Sequence, residues 1–215
     1  MGEMINNIAH QWRQPLNLIG LIIQGLPQCS ELTQEELNQE VDKIMNIILH
    51  MSQTIDDFRY FFHTGKTRDT FTANQAVTNA VTFITPSLHS KNIRISTTER
   101  QSAKIVGYSN EYSQVLLNIL SNAKDVLVER QISDPCISID IAEENGFSVV
   151  TITDNGGGIS DDVLPKIFDP YFTTKEKTQG TGIGLYMSKI IIEQHMEGRL
   201  TAHNVPGGVA FRIVV

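Results

Sequence analysis

The chain has 215 residues, 40% hydrophobic and 19% charged, with 17 Lys+Arg against 24 Asp+Glu for a net charge of −7. These values exclude wholesale disorder, and the acidic balance excludes a general nucleic-acid binder, which needs a basic face. Two cysteines cannot frame a disulfide scaffold, no apolar run approaches the ~20 residues of a membrane span, and Glu3, Asn6 and Asn7 interrupt any signal-peptide core.

Apolar residues at Ile5, Ile8, Trp12, Leu16, Ile19, Ile23 and Leu26 fall three and four apart. They mark one stripe of an amphipathic helix that Pro27 closes. A second helix opens at Thr33, where Thr33-Gln34-Glu35-Glu36 is a capping box. Its stripe, Leu37, Val41, Ile44, Ile48, Met51, Ile55, Phe58 and Phe62, alternates four and three as a heptad seam. With about six residues between them, the two helices fold back antiparallel. A lone hairpin leaves seams of this length unburied. Two hairpins are therefore expected to form a four-helix bundle in a homodimer, the alternative being a hairpin packed on its own second domain.

The polar stretch from His63 to Asp69 reads as a linker between a domain of residues 1–66 and one of residues 67–215. Beyond it, helices are predicted over Asn74–Thr85, Ser109–Arg130 with Ser109 as its cap, Asp162–Phe168 and Gly182–Met196. Strands are predicted at Ile93–Thr97, Cys136–Ala142, Phe147–Thr153, Arg199–His203 and Val209–Val215, with turns at Glu144-Asn145-Gly146 and Pro206-Gly207-Gly208. Helices mixed with hairpin strands point to a mixed sheet covered by helices on one face, an α+β class.

Four polar clusters stand out in the second domain. Asn118 and Asn122 are four apart on one face of an otherwise apolar helix, below Glu111 and Gln114. Asparagine is a mediocre helix former, and side-chain oxygens so placed suit a hard cation such as Mg²⁺. Thr153-Asp154-Asn155-Gly156-Gly157-Gly158-Ile159 ends an apolar strand, offering a carboxylate to an amine and an apolar surface at Ile159. That pair suits an adenine ring. Gly180-Thr181-Gly182-Ile183-Gly184-Leu185 opens a helix, where bare backbone N–H groups bind polyphosphate. It is neither a P-loop, since no Lys-Ser/Thr pair follows, nor a Rossmann turn. Finally, Phe168-Asp169-Pro170-Tyr171-Phe172-Thr173-Thr174-Lys175 leads through an irregular lid-like stretch into the glycines, with Lys175 as the natural phosphate partner.

Each cluster alone has an ordinary reading: a solvated helix face, a turn, a loop. In this order and spacing they closely resemble the N, G1, F and G2 boxes of the ATP-binding domain of sensor histidine kinases. That domain belongs to the Bergerat-fold (GHKL) superfamily, which also includes gyrase, MutL-type repair proteins and heat-shock chaperones. In the first domain, Ile8-Ala9-His10-Gln11-Trp12-Arg13-Gln14-Pro15-Leu16-Asn17 is similar to the H box of the same kinases. The other histidines, at 50, 63, 89, 195 and 203, read as surface residues.

The resemblance covers about residues 4–215 and implies a Bergerat-type α/β sandwich behind the helical bundle. It implies autophosphorylation of His10 by ATP with Mg²⁺, then transfer to an aspartate of a response-regulator receiver domain in two-component signalling. It assigns Asn122 to the metal, Asn118, Lys175 and the backbone of Gly180, Thr181, Gly182, Gly184 and Leu185 to the phosphates. Asp154, Gly156, Gly158 and Ile159 take the adenine. One departure concerns the residue after the histidine, commonly Glu or Asp in the family and here Gln11, whose amide orients the ring without a full charge. Gln14, one turn from His10, is placed to orient a water for dephosphorylating the regulator. Only nine residues precede His10, so an upstream sensor domain is expected in a longer receptor, with this part cytoplasmic. The rival reading is a Bergerat ATPase or ATP-driven dimer clamp, for which Glu111 is the obvious carboxylate to activate water.

Overall fold

The computed structural model describes residues 16–26, 33–45, 47–48, 68–100, 103–175 and 182–215. His10, Gln11, Gln14, Gly180 and Thr181, with Ile5, Ile8 and Trp12 of the first stripe and Met51, Ile55, Phe58 and Phe62 of the second, lie outside the described residues. The described residues divide into two compact units, one of residues 16–48 with 173–175, the other of residues 68–172 with 182–215.

In the first unit, α1 (residues 16–25) and α2 (residues 34–45 and 47–48) are helical. The capping box is formed: Thr33 N–H and Oγ1 donate to Glu36 Oε2 at 2.9 and 2.8 Å, and Glu36 N–H donates to Thr33 Oγ1 at 3.3 Å. These bonds hold the Glu36 carboxyl below its ordinary pKa. Leu16, Leu21, Ile23, Val41, Met45 and Ile48 remain 41–66% exposed in the single chain.

The second unit runs β1 (Asp69–Thr72), α3 (Ala73–His89), β2 (Arg94–Glu99), β3 (Lys104–Gly107), α4 (Ser109–Glu129), β4 (Cys136–Glu144), β5 (Phe147–Asp154), α5 (Gly184–Ile190), β6 (Arg199–Val205) and β7 (Gly208–Val214). Five strands form one sheet in the order β2-β4-β5-β7-β6. The β2–β4 pair is parallel and the other pairs are antiparallel, so the sheet is mixed, as expected. Alternation decides its two faces. Ile137, Ile139 and Ile141 of β4 are buried while Ser138 and Asp140 between them are not, and Thr151 and Thr153 of β5 share the wetter face. The apolar face packs under α3 through Ala76, Val77, Ala80, Ile84 and Leu88, and under α4 through Val115, Leu116, Ile119, Leu120 and Leu127. This one-sided, mixed α/β arrangement is that of a Bergerat-type ATPase domain.

Several boundaries differ from the sequence reading, each for a physical reason. The helix predicted to stop at Thr85 runs through Pro86 to His89. A proline in the last turn forfeits one hydrogen bond, and the fully buried Leu88 holds that turn down. Two four-residue strands were not predicted: β1, which begins at the last residue of the expected linker, pairs antiparallel with β3, Phe71 opposite Ile105. Each buries too few side chains to show a period of two. Ser109 is the first residue of α4 rather than its cap; its N–H and Oγ donate to the two oxygens of Asp69 at 3.3 and 2.8 Å. The helix predicted over Asp162–Phe168 is only a 3₁₀ turn, Leu164–Lys166. The one predicted over Gly182–Met196 is α5 followed by a π-helical turn, Ile191–His195.

Candidate functional site

The polar clusters of the second unit meet along one face of α4. Asn118, Asn122, Val126 and Arg130 recur every four residues, so they form a single stripe along the helix. At its first end, Gln114 Nε2 donates to Asn118 Oδ1 at 3.4 Å, and Asn118 Nδ2 faces Gly184 O at 3.4 Å and Ser188 Oγ at 3.3 Å. Asn118 thus ties α4 to the start of α5. The Asn122 side chain, half-buried, makes no hydrogen bond among the described residues, which leaves its oxygen available. At the far end the stripe meets the loop after β5. A Cβ on Gly156 would lie 2.6 Å from Val126 Cγ1 and 2.9 Å from Asp154 Oδ1, so the helix and loop are in contact only because that position is glycine.

Asp154 sits at the end of β5, only 5% exposed, and its Oδ1 accepts from Gly156 N–H at 2.8 Å. Burial pushes its carboxyl above the ordinary value. The Gly156 N–H, the Arg130 charge and a backbone bond from Val209 pull in the opposite direction. A buried carboxylate with few partners is suited to accept a hydrogen bond from a ligand. The glycines beyond it carry positive φ at Gly157 (+93°) and Gly158 (+78°). Three side chains that the sequence reading missed fix this loop. Asn155 Oδ1 accepts from Cys136 N–H at 2.9 Å and its Nδ2 donates to Asp134 O at 2.8 Å. Arg130 donates to Gly156 O and Gly158 O. Asn204 of β6 pairs with both backbone groups of Ile159, accepting from N–H at 2.8 Å and donating to O at 2.6 Å. Val126 and Arg130 continue the Asn118/Asn122 spacing, which was the available signal; Asn204 carried none.

Gly182 opens the segment into α5 with φ +64°, and a Cβ there would fall 2.4 Å from the Tyr171 carbonyl carbon and 2.7 Å from Phe172 O. The aromatic segment and the glycines are therefore in backbone contact. Phe168 packs edge-on against Phe211 with ring centroids 6.4 Å apart, and Lys189 Nζ lies 5.1 Å from its ring centre. Gly184 and Leu185 start α5 itself. Lys175 belongs to the other unit, where its N–H donates to Thr173 Oγ1 at 3.1 Å.

Two ordinary readings need correction. His195 is not simply a surface residue: its Nδ1 lies 2.8 Å from Glu111 Oε2, and Tyr108 meets its ring edge-on. Glu111, 8% exposed, is held by that pair at the opening of α4. Among the described residues, no helix is long and apolar enough to cross a membrane.

Residues 107–215 match the family model described as histidine kinase-, DNA gyrase B-, and HSP90-like ATPase. The chain belongs to this family. Within it, the similarity extends along almost the whole chain to sensor kinases. Two-component sensor PprA of Pseudomonas aeruginosa is 26% identical over 98% of this chain and 24% of its own length. Sensor histidine kinase ZraS of Salmonella typhimurium is 31% identical over 99% of this chain and 45% of its own length. The chain thus spans less than half of these curated relatives. The catalytic domain of histidine kinase ThkA superposes with a TM-score of 0.61 at 26% identity, covering 69% of this chain and 95% of that one. ThkA in complex with response regulator protein TrrA matches all of this chain and 61% of that chain, at 22% identity and a TM-score of 0.79, a likeness of fold. The resemblance to the catalytic core of a two-component sensor histidine kinase, read from the four boxes, is borne out.

Proposed function

We propose that the chain is the dimeric core of a sensor histidine kinase. Residues 1–66 serve as the dimerisation and phosphoacceptor domain and residues 67–215 as the ATP-binding domain. The observation that carries this reading is the α4 stripe. Asn118 lies beside the glycine start of α5 and the far end of the stripe abuts the Asp154 loop, so one helix face lines a site with a phosphate end and a base end. The adenine amine donates to Asp154 across the Gly156–Gly158 loop, with Ile159 as apolar surface. Asn118, Lys175 and the backbone of Gly180, Thr181, Gly182, Gly184 and Leu185 hold the phosphates. Asn122, half-buried with no hydrogen-bond partner among the described residues, fits an oxygen ligand of Mg²⁺. That ion supplies charge neutralisation on the polyphosphate.

His10 provides a neutral ring nitrogen whose lone pair forms the N–P bond to the γ-phosphorus as the bond to the bridging oxygen breaks and ADP leaves. Gln11 accepts the other ring N–H and so orients the ring. The phosphoryl group then passes to an aspartate of a response-regulator receiver domain, with Gln14 placed to orient water in the reverse sense. Exposed Leu16, Ile23, Val41 and Ile48, all members of the predicted stripes, support a second copy of the hairpin and a four-helix bundle. An upstream sensor domain completes the receptor, and this part works in the cytoplasm. The rival ATPase reading needs a carboxylate on α4 to activate water, whereas Glu111 is buried against His195. His10→Ala tests the proposal: it is expected to abolish autophosphorylation and leave nucleotide affinity unchanged. Persistent label, or lost affinity, would count against it.

A further inference from the structure

The guanidinium of Arg130 is the element of the site that neither the box pattern nor the family match assigns. It stands at the C-terminal end of α4, in line with Asn118, Asn122 and Val126, and its Nη1 donates to two carbonyls, Gly156 O at 2.6 Å and Gly158 O at 2.9 Å. Carbonyls two residues apart in a glycine run converge on one donor only if the chain folds back between them. The positive φ of Gly157 and Gly158 achieves that. A Cβ on Gly157 would lie 3.1 Å from the same nitrogen, so the guanidinium is seated against the loop rather than waving beside it. A triple-glycine loop has more conformational freedom to lose than any other, and a fixed fork of charged donors is the side chain best able to hold it. The loop is also tied directly to Asp154, because Gly156 N–H donates to its carboxylate.

We propose that Arg130 is the positioning residue of the base end of the nucleotide site: it locks the Gly156–Gly158 loop and so fixes the Gly156 N–H that holds the Asp154 carboxylate. This rests on the reading of Asp154 as the adenine acceptor. The residue touches the loop and not the reacting atoms, so it acts through Asp154. From α4, Arg130 is the charged group acting on Asp154, while β7 contributes the Val209 backbone; both oppose the upward push of burial. Without the guanidinium, the acid form is favoured up to a higher pH.

The test is ADP binding by calorimetry from pH 5 to pH 8 on the whole chain, with Arg130→Ala, Arg130→Lys and Asp154→Asn alongside. Phosphate titration is common to all four proteins, so differences in the acid limb report the surroundings of Asp154. Arg130→Ala is expected to raise the ADP Kd about tenfold at pH 7.5, the scale of a lost hydrogen bond to a charged group, and to move the acid limb to higher pH. Arg130→Lys, which keeps charge but not the fork, is expected to restore the acid limb and recover only part of the affinity. A purely structural arginine predicts a lower melting temperature with wild-type Kd and an unmoved limb, and that result overturns the proposal. If Arg130→Ala does not fold, Arg130→Lys decides: wild-type affinity at every pH overturns the positioning role. Failure of the underlying reading is distinguishable, since Asp154→Asn would then bind ADP as tightly as the wild type.

Discussion

Asp154 shows at single-residue scale how binding and stability oppose each other. Its folded-state pKa is raised, chiefly by burial. A group raised in this way contributes stability that is full below the unfolded pKa and lost as pH rises through the folded value. At neutral pH the carboxylate therefore costs the domain stability, a cost consistent with the acceptor role proposed for it. Asp154→Asn is expected to weaken nucleotide binding roughly 5- to 150-fold, the range of a ~1–3 kcal/mol unmatched buried group. The same variant should melt at or above the wild-type temperature at pH 7–8, the gap closing toward about pH 4. Calorimetric binding and thermal melts across that range check both halves. Gly156 gives a second residue-scale prediction. Gly156→Ala puts a methyl group 2.6 Å from Val126 Cγ1 and should reduce ADP affinity. Val126→Ala leaves only Val126 Cβ, at 3.7 Å, so the double variant should recover part of that loss. Additive losses in a double-mutant cycle would mean the clash is not with Val126.

At the scale of elements, α4 organises the second unit: one face enters the core and the stripe from Asn118 to Arg130 lines the candidate site. The asparagines were legible because two poor helix formers interrupt an apolar helix at a spacing of four. Arg130 continues that spacing, but the spacing alone does not single it out, because an arginine at a helix end looks like an ordinary solvated residue until two loop carbonyls are seen to face it. The strands β4, β5 and β7 were legible from long apolar runs with turn signals, whereas β1 and β3 are four residues each and exist through their mutual pairing. The π turn at Ile191–His195 lacked any signal, since its apolar pattern is that of a continuing helix. For the first unit, the apolar side chains of α1 and α2 left exposed in one chain argue for an intermolecular partner. Replacing Ile48 and Ile55 with Asp puts charges into the seam and is expected to give monomers or an unfolded hairpin. Sedimentation at micromolar concentration checks this; persistent dimers would place the interface elsewhere.

At the scale of the whole molecule, the account divides labour between two units. In the proposed function one carries the acceptor histidine and the dimer seam, and the other holds the nucleotide and does no covalent chemistry of its own. Such a division lets transfer depend on positioning and charge neutralisation, as phosphoryl transfer requires. It also separates a kinase from an ATPase built on the same domain, because only the kinase has an acceptor on the protein. Incubation of the purified chain with γ-labelled ATP and Mg²⁺ is therefore the most direct test. The account predicts label on the protein that is lost in acid, stable in alkali, and located at His10. Free phosphate released without labelled protein, or an acid-stable label on a hydroxyl side chain, would contradict it.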